Sequence, residues 1–383
     1  MSKNAEMRQK YQVDFTKSGK ELEAGNIENL PLPISEMEKI DKDSKYVVKY
    51  FGGGLTSEVM KLKINDKFYT LKKKRETSLV QNVDGATSFL NEVQRRFDFE
   101  KLKETDSGMY SGIVDTVYAS FKKGFILSNW IEGDEIVKYD KNIFDEIFKN
   151  LTYMEYAGIF EYDMINGNLL LTSDKKVIMY DFGYTYTFNP LTEYNPDGLE
   201  ADIFHSAERF ETRCFMQHLM DIEEEIGLEK ALSLYSCEKE IAIKWYKIKL
   251  DWLKKNQAND YIISRIENYI KLWENGLKNR KDLTRLYNLE SFRSYLLDVH
   301  DDISGKSCNP DTFKKIEKVI LFTTENYDFI KSNNGFFWGD EKLTKNQLLE
   351  KYGKYKKEVI EYQLKDLDGF NQWRERRINN IKN

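Results

Sequence analysis

The period of the hydrophobic residues changes once along this chain, and that change constrains the architecture more than any single motif. From Tyr46 to Ile131 the spacing is strand-like, with one helical interruption. Tyr46–Phe51 is rich in β-formers. Val59–Ile64 and Phe68–Lys72, joined by Asn65-Asp66-Lys67, read as a hairpin. Thr116–Phe121 and Phe125–Ile131 form another around Lys122-Lys123-Gly124. Between the hairpins, residues 86–103 place Phe89, Leu90, Val93, Phe97 and Leu102 on one helical face. Residues 142–158 form a second amphipathic helix. A short hairpin follows, from Leu169–Leu171 to Val177–Tyr180. From Asp202 onward helical spacing dominates, most clearly in the stripe Ile262, Ile266, Tyr269, Ile270 and Trp273. A β-rich part followed by a mostly helical one is an α+β arrangement. The expected divisions are an extension over 1–40 with little regular structure or a short helix, a β-lobe over 41–133, a helical core over 134–235 and a helical extension over 236–383.

Composition narrows the function classes. Of 383 residues 40% are hydrophobic and 14% aromatic, with 5 Pro and 21 Gly, which excludes a disordered or collagen-like chain. No run of 18 apolar residues exists, so no membrane span is expected. The polar Met1–Glu6 lacks an apolar signal core, and Cys214, Cys237 and Cys308 are too far apart for a disulfide framework. Both point to a cytoplasmic protein, and export by a route that leaves no cleavable signal is compatible with them. With 59 Lys+Arg against 64 Asp+Glu, the net charge of −5 makes nucleic acid an unexpected partner. His205, His218 and His300 do not have metal-site spacing.

Five features follow one another in order. The first is Phe51-Gly52-Gly53-Gly54-Leu55-Thr56-Ser57, between two strands. Glycines let backbone N–H groups approach phosphates, although an ordinary hairpin turn explains the run equally well. The second is Lys72, which strand alternation puts on the same face as Thr70. A lysine there can neutralise nucleotide phosphates; alone, it reads as a surface residue like Lys73 or Lys74. The third is Glu92, an acid on a core-facing stretch of helix, which needs a partner such as Lys72. The fourth is Asp163, followed five residues later by Asn168. The carboxylate can accept or orient a hydroxyl proton, and the amide oxygen can ligate a hard cation. The fifth is Asp181-Phe182-Gly183. Either aspartate alone reads as a turn residue.

In this order the residues resemble the protein-kinase-like superfamily, well over 46–185 and loosely to 235. The resemblance implies a bilobal fold: a small antiparallel β N-lobe, a helical C-lobe and a helical C-terminal extension. It implies ATP and Mg²⁺. Gly52, Gly53, Gly54 and Ser57 would lie in the phosphate loop, with Ser57 in place of its last glycine. Val59 and Thr70 would roof the adenine, and Leu170 would floor it. Lys72 matches the phosphate-binding lysine and Glu92 its helical partner. Ser128 falls near the gatekeeper position, and the backbones of Asn129 and Ile131 match the hinge. Asp163 matches the catalytic aspartate, and Asn168 and Asp181 the metal ligands.

The departures are informative. Glu161-Tyr162 stands where His-Arg usually precedes the catalytic aspartate, Ile165 replaces the usual lysine, and no Ala-Pro-Glu segment follows Asp181. Gly167-Asn168 resembles the pair in aminoglycoside and choline kinases. The implied activity is γ-phosphoryl transfer to a hydroxyl, with a small molecule or sugar favoured over a protein Ser/Thr. The alternatives are a protein kinase of effector type, a pseudokinase scaffold docking a protein through its helical half, and an adenylyltransferase. Asp202, His205, Glu208, Glu211 and Arg213 would line an acceptor pocket or, the favoured reading, form a buried ion-pair network. Trp245, Trp252, Trp273, Trp338 and Trp373 read as core, and Arg374–Lys382 as a solvated basic helix end.

Overall fold

A computed structural model of the chain describes residues 2–52, 56–80, 82–364 and 367–382. Gly53, Gly54 and the side chain of Trp373 lie outside the described residues. The chain is mixed α+β and divides into two compact units. The first comprises Met1–Glu135, Lys149–Asp163 and Gly167–Asp202; the second Ile136–Phe148, Met164–Asn166 and Ile203–Asn383.

The first unit opens with α1 (Lys3–Lys17), whose N-cap Ser2 accepts from the Ala5 N–H. Then come β1 (Glu23–Gly25), α2 (Ile34–Met37), β2 (Val47–Phe51), β3 (Ser57–Ile64), β4 (Lys67–Lys74), α3 (Val83–Thr105), β5 (Thr116–Ser120), β6 (Phe125–Asn129) and β7 (Gly133–Asp134). Helix α4 (Lys141–Tyr156) is divided between the units. The first unit continues with β8 (Ile159–Glu161), β9 (Leu169–Thr172), β10 (Val177–Met179) and β11 (Thr185–Thr187).

Six strands form one antiparallel sheet in the order β1-β5-β6-β4-β3-β2. The β3–β4 hairpin turns through Asn65 and Asp66, both at positive φ, a turn whose twist matches that of the strands. Alternation gives the sheet two faces. Met60, Leu62, Ile64, Tyr69, Leu71, Tyr118, Phe125 and Leu127 pack on one, together with Met37 and Ile40. Ala119 and Ile126, on the other, pack with Phe89 and Val93 of α3. Residues 1–40 are more ordered than their composition predicts: a 15-residue helix and a strand that joins the sheet beside β5. Neither α1, with its weak apolar stripe, nor the three residues of β1 shows a strong local pattern. Their order comes from the partners they pair with.

The second unit holds α5 (Ser206–Phe210), α6 (Met216–Glu225), α7 (Leu228–Lys255), α8 (Asp260–Gly276), α9 (Arg280–Gly305), α10 (Pro310–Ser332), α11 (Lys345–Glu361) and α12 (Asp368–Lys382). Capping boxes start α10, at Asn309 and Thr312, and α11, at Thr344 and Gln347. Ile262, Ile266, Ile270 and Trp273 are buried along α8. Trp245 is also buried, whereas Trp338 is 55% exposed and is no core residue. The polar residues of α5 and the turn after it are engaged internally. Glu208 pairs with Arg209, and Glu211 with the fully buried Lys239. His205 caps α5, and Asp202 belongs to the first unit. Arg377 is not a solvated end residue, because its guanidinium bonds Asp221 and Asp311. No helix is long and apolar enough to cross a membrane among the described residues.

Candidate active site

The chemistry-bearing residues of the first unit gather on the α3 side of the six-stranded sheet. Lys72 is opposite Val59 across β3–β4, and Thr70 is opposite Ser128 across β4–β6. Lys72 is 6% exposed. Its Nζ is 2.6 Å from a Glu92 carboxylate oxygen and 3.0 Å from Asp181 Oδ2. Burial alone depresses the Lys72 ammonium, but Asp181 and then Glu92 outweigh it and hold its pKa above the ordinary value. Burial raises the Asp181 carboxyl, but Lys72, the Gly183 N–H and Arg96 together outweigh it, so it sits below the usual range.

Arg96 completes a tetrad that the motif reading did not include. It donates to the other Glu92 oxygen at 3.2 Å, to Ser128 Oγ at 3.1 Å and to the Tyr180 carbonyl at 2.6 Å. Two cations and two carboxylates therefore balance in one cluster, buried except at Asp181. The available sequence signal was the Glu92–Arg96 spacing of one helical turn. Asn91, on the neighbouring helical position, donates to the carbonyls of Phe182, Gly183 and Thr185 at 2.8–3.2 Å. The backbone on either side of Asp181 is thus held by Arg96 and Asn91 of α3.

Asp163 follows β8, which pairs with β11 so that Glu161 is opposite Thr185. Its N–H donates to Glu161 at 2.6 Å, and Asn168 Nδ2 donates to its carbonyl at 2.8 Å. Glu161, 4% exposed, also bonds Thr185 Oγ1. Burial pushes its carboxyl up to about 8, against the lowering from Thr185 and the Asp163 N–H, and with further raising from Asp163 and Asp181. Tyr162 bonds Asp197 at 2.7 Å through its hydroxyl.

The remaining candidates lie on several elements. Gly52 follows β2, and its carbonyl accepts from Arg75. Ser57 opens β3 with its hydroxyl buried and without a partner. Asn129 closes β6 opposite Tyr69, and Ile131 follows it. Leu170 is opposite Ile178 in the separate β10-β9-β7 sheet, not in the sheet that carries Val59 and Thr70. Lys73 points away from Lys72 and donates to the Glu38 and Ile40 carbonyls, so it is no free surface lysine.

Asn168 and Asp181 carry oxygen donors of the kind a hard divalent ion takes. The Asn168 amide is oriented by its bond to Asp163, with its carbonyl oxygen opposite. The Leu169↔Met179 pairing brings Asn168 alongside Tyr180-Asp181. No three His, Cys, Asp or Glu side chains gather as a metal site among the described residues. A Mg²⁺ held by one or two protein oxygens and completed by phosphates and water needs no such cluster. No protein-family model matches the chain, and no curated protein matches it.

Proposed function

We propose that this protein is an ATP- and Mg²⁺-dependent phosphotransferase of kinase-like bilobal fold that moves the γ-phosphoryl group to a hydroxyl. The observation that carries the reading is the convergence of the buried Lys72 and Glu92 with the partly exposed Asp181, from a strand, a helix and a later loop. A surface lysine has no reason to be drawn there. Glu92 and Arg96 hold Lys72 and the Tyr180-Asp181 backbone in place, so that the ammonium meets phosphate oxygens without reorganisation. Asp181 and Asn168 would hold the magnesium, whose contribution is charge neutralisation on the phosphates. Asp163 aligns the acceptor and takes its proton as the hydroxyl oxygen bonds the γ-phosphorus and the bond to the β-phosphate oxygen breaks. The unpartnered Ser57 hydroxyl fits a phosphate-facing loop. The Gly167-Asn168 pair favours a small-molecule or sugar acceptor.

The test is transfer from γ-labelled and α-labelled ATP to pooled sugars, antibiotics, nucleosides and a cell lysate. Label is expected to move from the γ position only. Asp163→Ala is expected to abolish transfer while leaving ATP binding nearly intact, and Asp181→Ala to weaken Mg-ATP binding as well. Full activity of both variants, or transfer of α-label, overturns the proposal.

A further inference from the structure

A cavity separate from those residues lies in the first unit where α1, α3 and β11 meet. It measures about 110 Å³, and Arg8, Tyr11, Gln12, Asn91, Arg95 and Tyr186 are among the residues lining it. One buried water needs roughly 10–15 Å³ of such space, so several waters or one tetrahedral oxyanion fit.

Two guanidinium groups border this cavity with donors unused. Arg8 has Nε and one Nη shielded from solvent and without an acceptor, and its Cζ is 3.9 Å from the centre of the Tyr186 ring. No carboxylate pairs with Arg8 among the described residues. Arg95 is 6% exposed, and its Nε is likewise buried and unpartnered. One of its Nη atoms reaches Asp98 at 2.8 Å. Asp84 is bonded to Gln9 and Tyr186 rather than to either arginine. Buried charge is ordinarily paired and buried donors are ordinarily filled; here Arg95 has one carboxylate, Asp98, and Arg8 has none among the described residues. The lining amides of Gln12, Asn91 and Gln94 are already committed. Gln12 donates to Asn91 at 3.2 Å and accepts from Thr87 at 3.1 Å.

We propose that this cavity is an anion site that takes a phosphate group, held by Arg8 from the first helix and Arg95 from the third. Guanidinium forks match phosphate oxygens in geometry and charge. A phosphate there ties α1 onto α3 and abuts Asn91, whose amide grips the carbonyls of residues 182, 183 and 185. Anion occupancy is thereby felt at the backbone that carries Asp181.

The experiment uses the full chain, with inorganic phosphate and O-phosphoserine as separate probes and chloride at matched ionic strength as the blank. Phosphate binding by calorimetry and slowed hydrogen exchange across residues 3–17 are expected. Arg8→Gln and Arg95→Gln should each weaken binding by about tenfold or more. Preference for O-phosphoserine identifies an esterified phosphate as the ligand, and preference for inorganic phosphate identifies the free ion; either ranking supports the site. The proposal is overturned if neither probe changes exchange in residues 3–17 at about 20 mM beyond the chloride blank, or if both variants respond like the parent. Arg8 is half-buried on the first helix, so Arg8→Gln decides alone should Arg95→Gln fail to fold. Phosphate bound near Lys72 would leave the Arg8→Gln response unchanged, which separates this result from the kinase-like reading.

Discussion

Removing Glu92 should destabilise the first unit more than removing the lysine it holds. Glu92 touches both cations of the tetrad, Lys72 at 2.6 Å and Arg96 at 3.2 Å. The other acceptors of Arg96, Ser128 Oγ and the Tyr180 carbonyl, are neutral. Glu92→Gln therefore leaves a nearly inaccessible guanidinium without a carboxylate. Breaking a buried pair from one side costs about 3–5 kcal/mol, and the lower end applies because Lys72 keeps Asp181 at 3.0 Å. Lys72→Met is gentler. Glu92 keeps Arg96, and the Asp181 side chain is 37% exposed and can turn to water, so about 1–2 kcal/mol is expected. Asp181→Asn should cost about 1 kcal/mol or less, since the pair it breaks is partly solvated and Lys72 keeps Glu92. The assay is urea unfolding combined with hydrogen-exchange mass spectrometry on peptides covering 67–74 and 83–105. Lys72→Met costing as much as Glu92→Gln would refute the view that Glu92 is the shared anion. A double variant whose cost is the plain sum of the singles would refute the contact itself, because neighbours in one network couple by roughly 0.5–3 kcal/mol.

Other perturbations test separate parts of the fold. Glu161 has a folded pKa raised to about 8 from an ordinary 4.5, so between those values the folded chain keeps a proton that the unfolded chain has released. Stability of the first unit should fall as pH rises through that window, by up to about 1.4 kcal/mol per pH unit, then level off. Glu161→Gln, which keeps an acceptor oxygen but cannot titrate, should flatten the profile of urea midpoints; an unchanged slope would assign the titration elsewhere. In the second unit, Lys239→Met strands Glu211, Glu238 and Glu290 in a site where Lys239 has no exposure. A loss of about 3–5 kcal/mol is expected in thermal melts at pH 8. The loss should shrink at pH 6, because burial has pushed Glu238 up to about 7 and raised Glu211. Gly25→Ala sets a side chain at φ +73° with its Cβ 2.5 Å from the Val117 carbonyl oxygen. It should cost about 2 kcal/mol and loosen β1 against β5 in hydrogen exchange, and a neutral melt would show that the strand can move aside.

The local patterns of this chain determine much by themselves. Alternation in Tyr69–Lys72 separates Lys72 from its neighbours Leu71 and Lys73, because a strand has a period of two and one face must enter a core. Helical spacing likewise specifies α3 and the buried stripe of α8, and the Asn65-Asp66 pair a tight hairpin. These features depend on backbone geometry and on apolar surface leaving water, which short windows encode. The identity of the partners is another matter. That Arg96 shares Glu92 with Lys72, that burial raises the Glu161 carboxyl beneath the Asp163 N–H, and that α1 brings Arg8 to the cavity of Arg95 all follow from contacts between distant segments. A charged side chain has no fixed meaning in sequence. Burial, and the charges that burial brings within a few ångströms, set its protonation and its role, and those distances exist only once the chain has folded.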